Sequence, residues 1–359
     1  MSKTLMVMAG GTGGHVYPAM AVADYLQQQG WRIVWLATEG GMENRLIAHK
    51  GYDKAMINMR GVRGKGVLGW LLLPLKLAKA FAQSLQALRK HRPNVVLGMG
   101  GFAAFPGGLM ARLLGKPLVV HEQNSVAGLT NKVLAKFAQR VLAAFPTAFV
   151  QKLKAGKALL VGNPVRADIS ALPAPEQRFQ GRSGVLRLLV VGGSLGAQAL
   201  NQIVPQVLAL MPEEHRPQVI HQAGEKHLAA LEGGYRAAGV AADTRAFIED
   251  MAAMYDWCDL VICRAGALTV AELSAAGVAS VLVPFPFAVD DHQTGNARYL
   301  ADDGAAILIQ QADLSVAALL KILNEMTREK LLKMAHKARV LGKPEATATV
   351  AEICKEAAN

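Results

Sequence analysis

Leu260-Val261-Ile262-Cys263-Arg264-Ala265-Gly266-Ala267-Leu268-Thr269-Val270-Ala271-Glu272 reads as a buried strand, a tight turn of small residues, and a helix whose first turn holds Thr269 and Glu272. The apolar run is short and unbroken, as in a strand covered on both faces of a parallel sheet. Such a turn presents main-chain N–H groups at the positive end of a helix, which suits a diphosphate. A carboxylate one turn along suits the vicinal hydroxyls of a ribose. The same residues also fit an ordinary strand-to-helix connection with a Thr…Glu cap. Repetition favours the ligand reading, because glycine-rich strand-to-helix loops recur at 10–14, 98–101 and 192–196.

The first of these loops, Ala9-Gly10-Gly11-Thr12-Gly13-Gly14-His15, follows the apolar run Leu5–Met8 and precedes a helix expected from about Pro18. Its glycines let a ligand approach the backbone closely. It is not the dinucleotide fingerprint, because Val16 stands where the third glycine belongs, and no glycine loop continues into Gly-Lys-Ser/Thr. His15, just ahead of the expected helix, is a candidate general base when neutral, although a histidine can also simply close a loop. The second loop, Gly98-Met99-Gly100-Gly101-Phe102, runs on to Pro106-Gly107-Gly108 and fits a second anion site, a close approach of two domains, or helix–sheet packing. The third, Gly192-Gly193-Ser194-Leu195-Gly196-Ala197-Gln198, mirrors the first and adds the Ser194 hydroxyl as a phosphate donor. His121-Glu122-Gln123-Asn124 ends the strand Leu118–Val120, where parallel sheets place their ligand crevice. His292, Gln293 and Asn296 offer groups that match sugar hydroxyls, whereas Asp290 and Asp291 also fit a solvated loop. Phe247-Ile248-Glu249-Asp250 leads into a helix capped by Asp250 and offers an apolar seat for a planar base.

Apolar runs and helical patterns alternate along the chain. Leu5–Met8, Ile33–Ala37, Val95–Gly98, Leu118–His121 and Val141–Ala143 form one series, and Leu188–Val191, Val219–Gln222, Leu260–Cys263, Ser280–Val283 and Ala306–Ile309 form another. Alternation of this kind predicts α/β architecture with two doubly wound parallel sheets, and 359 residues suit two domains. A strand over Leu159–Val161 ends at the expected boundary, Gly162-Asn163-Pro164, giving domains 1–164 and 165–343, with 344–359 returning as a helix to the first.

Charge is unevenly shared. Residues 1–164 hold 21 Lys and Arg against 5 Asp and Glu, while residues 165–359 hold 18 against 22. The first half therefore faces something anionic, a membrane or a nucleic acid. Residues 65–92 carry Val67-Leu68-Gly69-Trp70-Leu71-Leu72-Leu73-Pro74-Leu75 between basic flanks, far short of the roughly 20 residues that span a bilayer. This segment fits an interfacial patch on an anionic leaflet, with a buried core helix as the alternative. Nucleic acid is disfavoured, because aromatics for base stacking make up only 6% of the chain. Cys258, Cys263 and Cys354 form no metal-ligand spacing and suit a reducing compartment, and no secretory signal opens the sequence. The absence of any Asp-x-Asp predicts that no metal or other cofactor is needed to hold a nucleotide diphosphate.

Together AGGTGGHVYPAMAVA (9–23), GMGGF (98–102), HEQNSVAGLTNK (121–132), GNPVR (162–166), GGSLGAQALN (192–201), CRAGALTVAEL (263–273) and DDHQTGNA (290–297) resemble one family along the whole chain. It is that of the bacterial UDP-N-acetylglucosamine–N-acetylmuramyl-(pentapeptide) pyrophosphoryl-undecaprenol N-acetylglucosamine transferases. The resemblance implies a GT-B fold, two Rossmann-like domains facing across a cleft. It implies inverting, metal-independent transfer of GlcNAc from UDP-GlcNAc to the C4 hydroxyl of MurNAc, converting lipid I to lipid II in peptidoglycan synthesis. Carried over by position, Ser194 and its loop contact the donor diphosphate, and Ile248 binds uracil through its backbone. Ala267, Leu268 and Thr269 line phosphates and sugar, Val270 and Ala271 complete that run, and Glu272 holds the ribose. Arg166 sits near the nucleoside; Asn124, His292 and Gln293 face the GlcNAc. Thr12, Gly13, Gly14 and His15 meet the acceptor diphosphate. Where the family often has Tyr and then Ser or Thr, this chain has Phe102 and Ala104, followed by Phe105, which removes a hydroxyl from any acceptor contact there. The resemblance also implies a peripheral protein on the cytoplasmic face of the inner membrane, with cell-wall synthesis or division proteins as candidate partners. The rivals are another GT-B enzyme, such as a diacylglycerol glucosyltransferase or a UDP-GlcNAc 2-epimerase, and a nucleic-acid-binding protein.

Overall fold

A computed structural model describes residues 2–59, 73–147, 151, 153, 156–193 and 196–359. They form two compact units, Met1–Arg166 with Pro344–Asn359, and Ala167–Lys343. The division falls two residues beyond the expected Pro164. Val165 is buried in the first unit, and its carbonyl accepts a hydrogen bond from Thr347 Oγ1 at 2.9 Å. The returning helix therefore holds the chain in the first unit past Asn163-Pro164.

In the first unit β1 (Thr4–Ala9), β2 (Arg32–Thr38), β3 (Asp53–Ile57), β4 (Val95–Gly100), β5 (Leu118–Glu122), β6 (Arg140–Ala143) and β7 (Ala158–Leu160) form a parallel sheet. The order is β3-β2-β1-β4-β5-β6-β7. Alternate residues of β1 serve opposite cores, as the period of two in a strand requires. Leu5 and Val7 pack with Val16, Val22 and Leu26 of the helix Gly13–Gln28 and with Val350, Ala351 and Cys354 of the returning helix Ala346–Ala357. Met6 and Met8 pack on the other face with Ala87 and Leu88 of the helix Leu73–His91 and with Ala104 and Ala111 of the helix Ala104–Leu113. Neither face of the sheet's centre meets water, which is why these strands are apolar runs without alternation.

The second unit carries β8 (Arg187–Val191), β9 (Gln218–Gln222), β10 (Asp243–Arg245), β11 (Leu260–Cys263), β12 (Ser280–Leu282) and β13 (Ala306–Leu308), all parallel, in the order β10-β9-β8-β11-β12-β13. In each sheet the strand order reverses once, between β1 and β4 and between β8 and β11. Ligands of doubly wound sheets bind at such a switch point, outside the carboxyl ends of the strands. Register puts Ala9 opposite Gly100, and Cys263 opposite Val191. The first and second glycine loops therefore leave their sheet side by side, as do the third loop and Arg264-Ala265-Gly266.

Part of the basic, leucine-rich segment is a helix with two unlike sides. Ala80, Ser84, Ala87 and Leu88 of Leu73–His91 are buried, while Leu75 is 70% exposed beside Lys76. Residues 65–72, including Trp70, lie outside the described residues. Among the described residues no helix is long and apolar enough to cross a membrane.

Candidate active site

The helix over the first loop begins at Gly13, earlier than Pro18, because Gly13 and Gly14 take helical conformation after an extended Thr12. His15 is thus inside the first helical turn and not ahead of it. That turn has no acidic residue, and Thr12 does not cap it with its side chain. The positive end of the helix dipole is therefore left for an anion, such as the acceptor diphosphate that Thr12, Gly13, Gly14 and His15 are expected to meet. His15 Nδ1 lies 2.9 Å from Gln123 Oε1 at the end of β5.

The second loop makes room for the first. A Cβ on Gly101, at φ +86°, would come within 2.4 Å of the Gly10 carbonyl oxygen, and one on Gly100, at φ +99°, would meet the His15 ring at 3.0 Å. Gly107 and Gly108 likewise accommodate Met8 and Leu134. Close packing accounts for all four glycines. Ala104 is fully buried and Phe102 half exposed, while Phe105 packs edge-on against Phe81 at 5.8 Å.

Glu122 is a structural carboxylate. It is 1% exposed, and its Oε1 accepts from Asn124 N at 2.9 Å. Its Oε2 accepts from Gly128 N at 3.0 Å and Asn131 Nδ2 at 2.8 Å. These bonds tie the loop 124–128 to the helix Leu129–Leu134 and commit the oxygens that a general base would use. Glu122→Gln is expected to lower stability by about 1–3 kcal/mol, because whichever way the amide is turned its NH2 opposes a buried donor. A urea midpoint equal to that of the parent at the same m-value would refute this account.

In the second unit the opening stretch folds largely as read. Gly266 is the extended cap residue of the helix Ala267–Ala276, with no side-chain cap. Because the helix begins at Ala267, Thr269 lies in its first turn and Glu272 in its second. No Thr…Glu capping box forms, so the cap expected under the ordinary-connection reading is absent. Ala267, Val270 and Glu272 are buried, and Leu268, Thr269 and Ala271 half-buried. Tyr255 donates its hydroxyl to Glu272 Oε2 at 3.1 Å. Burial, and next the Glu272 carboxylate, push the Tyr255 hydroxyl well above its ordinary range, so it remains a donor. Arg264 donates to the carbonyls of Val283 and Pro284 at 3.2 and 3.1 Å, which ties the turn to the strand end beside it.

The third loop rests on β9. A Cβ on Gly196, at φ +77°, would fall 2.0 Å from the Ala223 carbonyl oxygen. That oxygen accepts from Asn201 Nδ2 at 3.1 Å, and Asn201 Oδ1 lies 3.1 Å from His221 Nε2. Burial lowers His221 to a pKa of about 3, so it is a neutral strut. Ser194 and Leu195 lie outside the described residues, and with them the proposed hydroxyl donor.

Asp250 caps the helix Met251–Trp257 through Ala253 N at 2.9 Å, as its position predicts. Ile248, just ahead of it, is buried between exposed Phe247 and Glu249. His292 and Gln293 open the helix His292–Ala301. His292 Nδ1–H donates to the Val289 carbonyl at 2.7 Å, and Gln293 Oε1 accepts from Phe285 N at 2.9 Å. Asp290 and Asp291 are exposed, as a solvated loop would have them, yet both are left-handed, at φ 55° and 49°. Such strain at non-glycine residues costs about 1–3 kcal/mol each and collects at functional sites. Asp291 also accepts from Thr294 Oγ1 at 2.7 Å. Arg166 closes the first unit and Asn124 follows β5 there; the other expected donor-site residues belong to the second unit. Sequence reading did not foresee the roles of Gln123, Tyr255 and Gly100. For Gln123 the signal was present in the polar cluster His121–Asn124, whereas an isolated Tyr255 in a helix gave none.

Two parallel α/β units, each with loops and helix starts gathered at its switch point, are the architecture of the GT-B class. The chain belongs to glycosyltransferase family 28, whose N-terminal domain matches residues 5–143 and whose C-terminal domain matches residues 187–353, and within it to the UDP-N-acetylglucosamine–N-acetylmuramyl-(pentapeptide) pyrophosphoryl-undecaprenol N-acetylglucosamine transferases. The transferase of that name from Dechloromonas aromatica (strain RCB) is 58% identical, covering 100% of both chains. That of Azoarcus sp. (strain BH72) is 59% identical over 99% of this chain and 98% of its own. The crystal structure of Acinetobacter baumannii MurG superposes with a TM-score of 0.84 at 42% identity, covering 99% of each chain.

Proposed function

We infer that this protein transfers GlcNAc from UDP-GlcNAc to the C4 hydroxyl of MurNAc in undecaprenyl-pyrophosphoryl-MurNAc-pentapeptide, making lipid II from lipid I with inversion at the anomeric carbon. The observation that carries the reading is identity of 58% along the full length of an enzyme named for this transfer. The uncapped helix starts over the first loop and at Gly266 support it as seats for diphosphates. His15 accepts the C4 hydroxyl proton as that oxygen attacks. Charge building on the departing UDP is met by main-chain N–H groups and the dipole of the helix Ala267–Ala276. Ile248 seats the uracil, with Arg166 near the nucleoside. Asn124, His292 and Gln293 hold the GlcNAc. Inversion needs no enzyme nucleophile, and without an Asp-x-Asp the chain works with no resident metal. Transfer of labelled GlcNAc to a lipid I analogue in the presence of EDTA tests both statements: no product without EDTA removes the activity, and product lost only with EDTA removes the metal independence.

Glu272 holds the ribose hydroxyls, and Tyr255 keeps one of its oxygens in place. Tyr255→Phe is expected to raise KM for UDP-GlcNAc about 2–10-fold with kcat unchanged, the worth of one buried hydrogen bond. An unaltered KM would show that the carboxylate is held by other means or does not bind the donor.

The first unit docks on the anionic cytoplasmic leaflet of the inner membrane, where its acceptor is anchored. Exposed Leu75 beside Lys76, within a half of the chain rich in Lys and Arg, supports this. A cavity of about 480 Å³ lined by Arg112, Lys116, Lys136 and Lys157 adds positive charge to the same unit. Binding to phosphatidylglycerol vesicles is expected to weaken as salt rises and to fall with Leu75→Glu. Binding indifferent to both would remove the proposal.

A further inference from the structure

A line of hydrogen bonds inside the first unit runs from a backbone carbonyl to the ring of His15. His121 Nε2 lies 2.9 Å from the Gly162 carbonyl oxygen, which can only accept, so Nε2 carries the proton. His121 is fully buried, and burial holds it at a pKa of about 4, so at neutral pH it has one proton and Nδ1 is a bare acceptor. Gln123 Nε2 lies 3.2 Å from that Nδ1 and 3.2 Å from the His121 carbonyl oxygen. Two strong acceptors, with the weaker Met99 Sδ at 3.7 Å, thus face one end of the Gln123 side chain, and its two N–H groups answer them. The reversed amide would set its oxygen against two acceptors. Gln123 Oε1 is then the end that faces His15 Nδ1, at 2.9 Å. An amide oxygen only accepts, so His15 carries a proton on Nδ1, and in the neutral ring Nε2 holds the lone pair.

We propose that Gln123 and His121 are positioning residues that fix the tautomer of His15, making Nε2 its proton-accepting atom. The inference rests on the reading of His15 as the base and names the device that makes it one. Each link has a single consistent proton placement, and two backbone carbonyls, whose polarity cannot change, pin it: that of Gly162 at its end and that of His121 at the glutamine. Gly162 ends its part of the chain at φ +84° just after β7, so the sequence that closes the sheet also supplies the anchor. Gln123, 1% exposed, has no freedom to exchange this arrangement for water.

The test is nitrogen NMR of the full-length protein labelled with ¹⁵N-histidine, with the His15 signals identified by their loss in His15→Gln. The parent protein is expected to show His15 protonated at Nδ1 and bare at Nε2. In Gln123→Met, which neither donates nor accepts as an amide does, the Nε2–H form should appear and kcat should fall about 10–100-fold, part of the roughly 10²–10⁴-fold a general base supplies. A parent protein with His15 protonated at Nε2 overturns the proposal without need of any variant. A tautomer unchanged in Gln123→Met overturns it too, even with kcat reduced, since the glutamine would then act only by packing. If the tautomer behaves as stated while His15→Ala turns over normally, the relay stands and the base assignment falls.

Discussion

His15→Ala is expected to lower kcat about 10²–10⁴-fold at saturating UDP-GlcNAc and lipid I analogue, with KM for UDP-GlcNAc within about twofold of the parent. The size of the effect follows from the chemistry. A sugar hydroxyl is a poor nucleophile until its proton leaves, and two other acids near strand ends, Glu122 and Asp291, are engaged. Glu122 spends both oxygens on Asn124, Gly128 and Asn131, and Asp291 accepts from Thr294. His15 stands in the first turn of a helix whose head is open to an anion, so a base there lies beside the expected acceptor diphosphate. The substitution should leave the fold intact, because Val16, Val22 and Leu26 carry the packing of that helix and His15 does not. The protein therefore stays folded, its stability lowered by no more than the lost bond to buried Gln123 Oε1, about 1–3 kcal/mol. Turnover near that of the parent would end the assignment.

Much of this architecture was readable because a parallel sheet buried on both faces writes its strands as unbroken apolar runs. Leu5–Met8, Val95–Gly98 and Leu260–Cys263 are cases, and each lies within an observed strand. The strands that escaped were β3 and β10, both at sheet edges. Asp53-Lys54-Ala55-Met56-Ile57 buries only Ala55 and Ile57, and Asp243-Thr244-Arg245 buries none of its side chains, so neither produces a run. Edge strands favour charged and polar residues, which erases the signal. The loops were legible as glycine clusters, but their purposes were not. Gly100 and Gly101 look like an anion loop in sequence, yet their spacing against His15 and Gly10 is a three-dimensional fact. Helix starts were placed late both at Gly13 and at Ala267, because glycine and alanine carry little positional information about caps. The hydrogen-bond partners of His15 and Glu272 lie 108 and 17 residues away, beyond any local pattern.

Gly101→Ala is expected to cost about 2–5 kcal/mol in stability, together with a fall in kcat of at least about tenfold. Two penalties combine. The residue is left-handed at φ +86°, which an L side chain tolerates poorly, and the new Cβ would stand 2.4 Å from the oxygen, 2.8 Å from the carbon and 2.9 Å from the nitrogen of Gly10. These are backbone atoms at the root of the first loop, held by the pairing of Ala9 with Gly100, and they cannot turn aside as a flexible side chain would. Relief requires the two loops to separate, and the His15 ring, against which Gly100 packs, moves with them. Gly115→Ala supplies the comparison. Gly115 is also left-handed, at φ +67°, but a Cβ there meets nothing within 4 Å. It should therefore lose only the conformational part, about 1–2 kcal/mol, and keep full turnover. The difference between the two midpoints measures the contact between loops. Equal losses, with turnover preserved in both, would mean that the loops do not need each other's backbone, and the packing account of the second glycine cluster would be wrong.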